Sequence, residues 1–257
     1  MPMSIVEIER ALKMLRLSGI RETLETRALQ VTQGDTTFLE GFSMLLQDEL
    51  DRRSSRTCDR LFKQSGLEER KTLSEYDWGF NPKVPKKACF DLVALGFITR
   101  GEHALLIGKP GTGKSHIAKS VVIAAATAGY RVVYREAHLF LDDILAAEQL
   151  GTKKKYLQPL LAADLLVLDD LFLRKRIRPG VADDLQELIM NRYASRKSIL
   201  LTSNRIIADW GVCLGDHAVS TAILDRLLHH GIMLNFDGKS YRLKEAAFRL
   251  ANKTGEE

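Results

Sequence analysis

The chain has 257 residues, 45% of them hydrophobic. That suffices for one sizeable core plus a smaller second unit, taking roughly 100–200 residues per domain. No apolar run approaches the roughly 18 residues of a membrane span, Glu7, Glu9 and Arg10 interrupt any signal-peptide core, and the three scattered cysteines, Cys58, Cys89 and Cys213, suit neither a disulfide framework nor a zinc site, so a reducing cytoplasm is expected.

Net charge is +5, but residues 1–75 hold 12 Lys and Arg against 13 Asp and Glu, so the basic surplus lies further on. Such a surplus favours polyanion partners through counterion release, although mild basicity is also common in proteins without one. In chain order, residues 1–72 read as a small all-helical domain. Ser4 with Glu7 forms a capping box, followed by an apolar stripe of Ile5, Ile8, Leu12 and Leu15. Ser18-Gly19 breaks or bends it, and a second pattern runs from Ile20 through Leu24 and Ala28. After the loop VTQGDT, Thr37 with Glu40 repeats the capping box, and Phe38, Phe42, Leu45 and Leu46 line the next helix. Arg52, Arg53, Arg56 and Arg60 then read equally as a solvated face, with helical partners such as Asp48 and Asp59, or as a polyanion contact.

Residues 73–88 change style. Two prolines, a glycine and the aromatics Tyr76, Trp78 and Phe80 describe an ordered linker, for which packing is the expectation over a strap near a nucleobase. From residue 89 strands and helices alternate. A helix is expected over Phe90–Ile98, strands at His103–Ile107, Arg131–Tyr134, Asp164–Leu168, Ser198–Leu201 and Ile232–Phe236, and helices over Leu139–Ala147, Tyr156–Leu161, Val181–Ala194 and Ala222–His229. Strands apolar on both faces and separated by helices imply an α/β fold with a parallel sheet covered on both sides.

The chemistry sits where these strands end. GKPGTGKS, Gly108–Ser115, lies between a strand and a helix and reads G-x-x-x-x-G-K-[ST]. Its glycines permit a tight turn that points several backbone N–H groups at phosphates, and the following helix adds its positive end. Gly108, Lys109, Pro110, Gly111, Thr112, Gly113, Lys114, Ser115 and His116 are therefore the expected nucleotide-binding residues. Lys114 is expected to reach the β and γ phosphates, and the Ser115 hydroxyl to ligate Mg2+. LLVLDD delivers Asp169 to the sheet edge, where a carboxylate can hold the Mg2+ shell, with Asp170 beside it to orient the attacking water. LLTSN ends in Asn204, which would help position that water, although a strand-ending Asn is also ordinary turn chemistry.

GKPGTGKS, LLVLDDL and LLTSNR, followed by ILDRLLHHGIMLNFDGKSYRLK, resemble the AAA+ ATPases of the helicase-loader group. The chain resembles more closely the IstB-like transposition helper ATPases of insertion sequences, through RRSSRTCDRLFKQSG, KTLSEYDWGFNP and NRYASRKSILLTSNRIIADWG, and the likeness covers nearly the whole chain. It implies a P-loop AAA+ core at 89–257 with a helical N-terminal domain for subunit or partner contacts. It implies an ATPase using ATP and Mg2+, forming ADP and phosphate and stimulated by DNA and oligomerisation. Asn204 becomes the sensor I residue. Arg226 becomes the arginine finger of a neighbouring subunit, a role that contributes roughly 10³–10⁵ in rate in related phosphoryl transfer; the plainer alternative is a surface ion pair with Asp225 or Glu245. Two departures stand out: Asp170 occupies a position where many AAA+ proteins have Glu, and too little chain follows Arg226 for a C-terminal helical lid, so Arg242 is not given a lid arginine's role.

The partners implied are duplex DNA, a transposase and further copies of the chain, the alternative being a DnaC-like replicative helicase loader. A small-molecule P-loop kinase fits poorly, because no acceptor pocket or lid is visible. Contact with DNA falls on Arg174, Lys175, Arg176 and Arg178, with Lys153, Lys154 and Lys155 as a second run; neither run has a base-reading motif, so contacts would be with phosphates. Ordinary solvated charge is the alternative for both runs.

Overall fold

A computed structural model describes residues 3–173 and 180–253, and the chain divides into two compact units, Met1–Arg60 and Leu61–Glu257. In the first unit three helices follow one another: α1 (Ile5–Met14), α2 (Ser18–Thr32) and α3 (Phe38–Ser65), the last running on past the unit boundary. Both capping boxes form. Ser4 N–H donates to Glu7 at 2.7 Å and Thr37 N–H to Glu40 at 2.8 Å, with each hydroxyl returning to the glutamate's own N–H. Gly19 lies inside α2 because α3 crosses it: a Cβ there would stand 2.6 Å from Glu49 Cα. The missing side chain lets Glu49 cap α2 from outside, accepting from Gly19 N–H at 2.6 Å. Arg27 pairs with Asp48, Arg52 with Glu22 and Arg53 with Glu49, so two of the four arginines in question are held by carboxylates of this unit, Arg52 by one across the bundle. The core here is thin. α1 buries no residue, and Phe38, Phe42, Leu46 and Leu50, at intervals of four along α3, stay open to solvent.

The second unit is built on five parallel strands, β1 (His103–Gly108), β2 (Val132–Glu136), β3 (Leu165–Leu171), β4 (Ser198–Ser203) and β5 (Gly231–Phe236), in the order β2-β3-β4-β1-β5. Because successive strand residues point to opposite faces, the continuous apolar runs feed two cores. Leu105, Ile107, Leu166, Leu168, Ile199 and Leu201 face one core. Its helical cover is α7 (Ala137–Gln149), α8 (Lys153–Ala162), α9 (Val181–Ala194), α10 (Trp210–Leu214) and α11 (His217–His229). Ala104, Leu106, Leu165, Val167 and Leu200 face the other core, covered by α4 (Lys86–Val93), α5 (Gly96–Arg100) and α6 (Lys114–Thr127). This is the parallel sheet covered on both sides that apolar strands dictate.

Three local features differ from the sequence expectation. The helix expected over Phe90–Ile98 is two helices, because Leu95 adopts φ +64° between them. α11 begins five residues before the expected Ala222, capped by Asp216, which accepts from Ala218 N–H at 2.6 Å. After β5 comes a further helix, α12 (Tyr241–Lys253), where none is expected above, although Leu243, Ala246, Ala247 and Leu250 have helical spacing.

Candidate functional site

The five parallel strands deliver their C-terminal ends to one side of the sheet, where open parallel sheets bind ligands. A cavity of about 450 Å³ lies there, lined by Pro110–His116, Asp170, Asn204, residues of 69–81, and Tyr241, Arg242 and Glu245 of α12. The loop from Gly108 to Gly113 is shaped by close approaches. A Cβ on Gly108 would stand 2.0 Å from Phe236 O, and one on Gly113, at φ +99°, would stand 2.4 Å from the Tyr76 ring. Gly113 is followed at once by α6, so the first amides of that helix open towards the cavity with its positive end.

Lys114 is buried, and its ammonium donates to Gly108 O and Lys109 O, both at 2.8 Å. Burial lowers its pKa, the Arg242 charge adds to the lowering, and Asp170 and Asp169 oppose it. Thr112 Oγ1 donates to Lys109 O at 2.8 Å, closing the loop on itself. Ser115 lines the cavity one residue into α6, and His116 contacts Thr72 O through Nε2 at 2.7 Å.

Segment 69–81 wraps this loop. Tyr76 donates its hydroxyl to Thr112 O at 2.7 Å and sets its ring edge-on to His116. Ser120 Oγ donates to Lys71 O, and Lys119 pairs with Glu69 at 2.8 Å. Asn81 clasps the β5–α12 turn from the far side, donating to Lys239 O at 2.9 Å and accepting Lys239 N–H at 2.8 Å. The aromatic linker therefore lies against the phosphate-type loop, as a strap, beyond the plain packing expected of it.

The two acids of β3 take different positions. Asp169 is 3% exposed; it accepts from Tyr134 OH at 2.7 Å and from Thr202 Oγ1 at 2.5 Å. Asp170, at φ +54°, lines the cavity, and burial followed by the neighbouring Asp169 charge raises its pKa, against the pull of Lys114 and Arg242. Asn204 also lines the cavity, and its Oδ1 is buried with no partner among the described residues.

Lys114, Ser115, Asp170 and Asn204 thus meet at one cavity. Arg226 does not line it. It lies on α11, where Nη1 donates to Ala222 O and to Asp225 Oδ2, each at 3.2 Å. Arg242, set aside at the sequence level, does line it, because the β5–α12 turn is tied to the loop: Tyr241 N–H donates to Gly111 O at 2.9 Å. Tyr134 and Thr202 were likewise missed; the signal for Thr202 was its place in LLTSN, two residues before Asn204. Arg174, Lys175, Arg176 and Arg178 lie outside the described residues. In the second basic run, Lys153 is held by Asp184 and Glu148, while Lys154 and Lys155 are exposed.

The family model described as IstB-like ATP binding protein matches residues 10–248. An ATP-binding protein of insertion sequence IS21 from Pseudomonas aeruginosa is 36% identical over 239 residues, covering 93% of this chain and 89% of the relative. One of insertion sequence IS5376 from Geobacillus stearothermophilus is 34% identical, covering 90% of this chain and 91% of its own. Among solved structures, AMPPCP-bound DnaA from Aquifex aeolicus matches with a TM-score of 0.56 at 23% identity over 73% of this chain, which spans 56% of that one. The DnaC helicase loader matches with a TM-score of 0.50 at 21% identity, covering 69% of this chain and 99% of that one. At these identities the solved structures establish the fold, a P-loop AAA+ core.

Proposed function

The chain belongs to the IstB-like ATP-binding proteins of insertion sequences, and from that premise we propose that it is an ATP-hydrolysing helper that oligomerises on duplex DNA and assists a transposase in choosing its target. The observation that carries this reading is the meeting of Lys114, Ser115, Asp170 and Asn204 at one cavity while Arg226 stays outside it. Such a cavity holds a triphosphate with Arg226 of its own chain outside it, and Arg226 of a second copy completes it.

The backbone N–H groups of the loop and the start of α6 receive the phosphates, with Lys114 turning from the Gly108 and Lys109 carbonyls to the β and γ groups. Among the described residues no group of three or more His, Cys, Asp or Glu is arranged to hold a metal alone. The oxygen donors present, Ser115 and the two acids of β3, fit a cation that brings phosphate oxygens and waters with it, as Mg2+ does. Asp169 fits that shell because the hydroxyls that hold its carboxylate, Tyr134 OH and Thr202 Oγ1, are neutral and leave it its negative charge. When bound, Mg2+ supplies charge neutralisation at the phosphates.

Asp170 faces the cavity with a raised pKa, which suits a base that orients water. Asn204, its Oδ1 free, holds that water from the other side. Arg242 lies on the same chain's side of the cavity, and its charge is a further partner for phosphate. Subunit and transposase contacts belong to the helical part, residues 1–72, where the open stripe Phe38, Phe42, Leu46 and Leu50 supports an interaction role; 73–88 is the linker and 89–257 the ATPase domain. Duplex contact rests on phosphates and is not sequence-specific.

The test is assembly. Sedimentation and electron microscopy are run on the protein with duplex DNA, with and without a non-hydrolysable ATP analogue. A multimer that needs both DNA and the analogue is expected. A particle that stays monomeric with both present refutes the reading.

A further inference from the structure

We infer that Thr202 is a positioning residue that ties the two acids of β3 together and turns Asp170 towards the cavity, an inference that rests on the roles given to Asp169 and Asp170 above. It begins with register. β3 and β4 pair residue for residue from Leu165 with Ser198 to Leu168 with Leu201, and pairing then resumes at Leu171 with Ser203. Between those points Asp169 and Asp170 on β3 stand opposite Thr202 alone on β4. That is a β-bulge, and a bulge re-aims a side chain at the cost of a ladder partner.

In a regular strand Asp169 and Asp170 point to opposite faces of the sheet. Here Asp170 takes φ +54°, a backbone that only Gly adopts freely, and its carboxyl lines the cavity beside Lys114 and Asn204. The N–H left over by the bulge is not orphaned: Asp170 N–H donates to Thr202 Oγ1 at 2.8 Å. The same hydroxyl spends its one proton on Asp169 Oδ1 at 2.5 Å. One fully buried oxygen therefore fixes the backbone of one acid and the carboxylate of the other. From the opposite side Tyr134 of β2 donates to Asp169 Oδ2, so the inner acid is clamped from both neighbouring strands. Valine would reproduce the shape of Thr202 and neither bond. Serine would reproduce both bonds and most of the shape.

Thr202→Val and Thr202→Ser are compared with wild type in the full chain by steady-state ATP hydrolysis with saturating duplex DNA. Affinity for a fluorescent ATP analogue is measured with Mg2+ and with chelator, alongside thermal melting. Thr202→Val is expected to lower kcat by about 10–100-fold, the usual cost of losing a supporting group behind a reactive one. Analogue affinity measured with chelator should stay within about threefold, because Thr202 is not among the residues lining the cavity and acts through Asp169 and the Asp170 N–H. Thr202→Ser should recover the rate. A Thr202→Val enzyme with unchanged kcat overturns the inference, as does one whose analogue affinity in chelator falls in step with kcat. If Thr202→Val does not fold, Thr202→Ser still decides: loss of turnover in a variant that keeps the hydroxyl overturns it. Asp170→Asn separates this inference from the reading beneath it. Wild-type turnover in Asp170→Asn removes the role of Asp170 itself, whereas an inactive Asp170→Asn beside an unslowed Thr202→Val removes only the role of Thr202.

Discussion

Replacing Tyr76 with phenylalanine removes one hydroxyl and leaves a ring whose shape the strap already accommodates. The ring packs 4.4 Å from Trp78 and 5.4 Å from His116, centroid to centroid, and both contacts survive the change. The loss is the 2.7 Å bond to Thr112 O. Because a trans peptide is planar, holding the Thr112 carbonyl towards the strap aims the Gly113 N–H the opposite way, into the cavity. The hydroxyl is a dependable donor at neutral pH, since burial pushes its pKa up to about 12. A neutral hydrogen bond contributes about 0.5–1.5 kcal/mol net. If that energy preorganises the loop for phosphate, Tyr76→Phe weakens ATP-analogue binding about 2- to 12-fold. Melting should fall by about 2–4 °C for each kcal/mol in a domain of this size. Tyr76→Ala, which also empties the ring's site, should cost about 3–5 kcal/mol and lower melting much further. Titration of the analogue by fluorescence, with melting curves alongside, reads both quantities. Affinity identical to wild type in Tyr76→Phe would falsify the claim that the hydroxyl orients the loop, and weakening confined to Tyr76→Ala would assign the effect to the ring instead.

Lys114→Ala should abolish measurable ATP binding in the same titration, because it removes the ammonium that lies on the loop carbonyls of Gly108 and Lys109; normal affinity defeats the site. Arg226→Ala should retain ATP binding and lose oligomer-stimulated turnover, whereas unchanged turnover at saturating protein and DNA removes the finger role. Duplex binding should weaken steeply between about 50 and 200 mM salt, and a flat response in a filter-binding series argues against phosphate contacts. His103 gives a pH signature. It is fully buried, accepts Ile199 N–H through Nδ1, and burial followed by the Arg192 and His230 charges lowers its pKa from 6.5 to about 4. The folded state therefore binds its proton more weakly than the unfolded chain does. The neutral imidazole's full contribution is present above about pH 6.5 and lost as pH falls towards 4, by up to about 3 kcal/mol. In urea melts across that window, His103→Gln should flatten the decline relative to wild type, and parallel curves would refute the assignment.

The motifs were legible because their chemistry is local. GKPGTGKS needs only a strand before it and a helix after it, and both are written in the apolar pattern around it. LLVLDD and LLTSN could be placed at strand ends for the same reason, so the meeting of Lys114, Asp170 and Asn204 follows once the strands are parallel and neighbouring. What escaped was set by partners distant in sequence. Tyr76 reads as linker packing until its hydroxyl is seen on Thr112 O, and Asn81 has no assigned part until it is seen on Lys239. Arg242 falls at the start of a helix whose stripe of Leu243, Ala246, Ala247 and Leu250 is written in the sequence, but only the tie between Tyr241 and Gly111 brings it to the cavity.

The sequence by itself determined the two-sided parallel sheet, the phosphate-type loop and the acids that follow it, because periodicity, turn residues and motif spacing act over a few residues. Tertiary structure decided the rest: which strand lies beside which, that two acids share one bulge opposite Thr202, and that a strap and a C-terminal helix close over the loop. Those depend on register and on contacts between segments far apart in the chain, such as Asn81 and Lys239, which are separated by 158 residues, and no local pattern encodes the distance between two such segments.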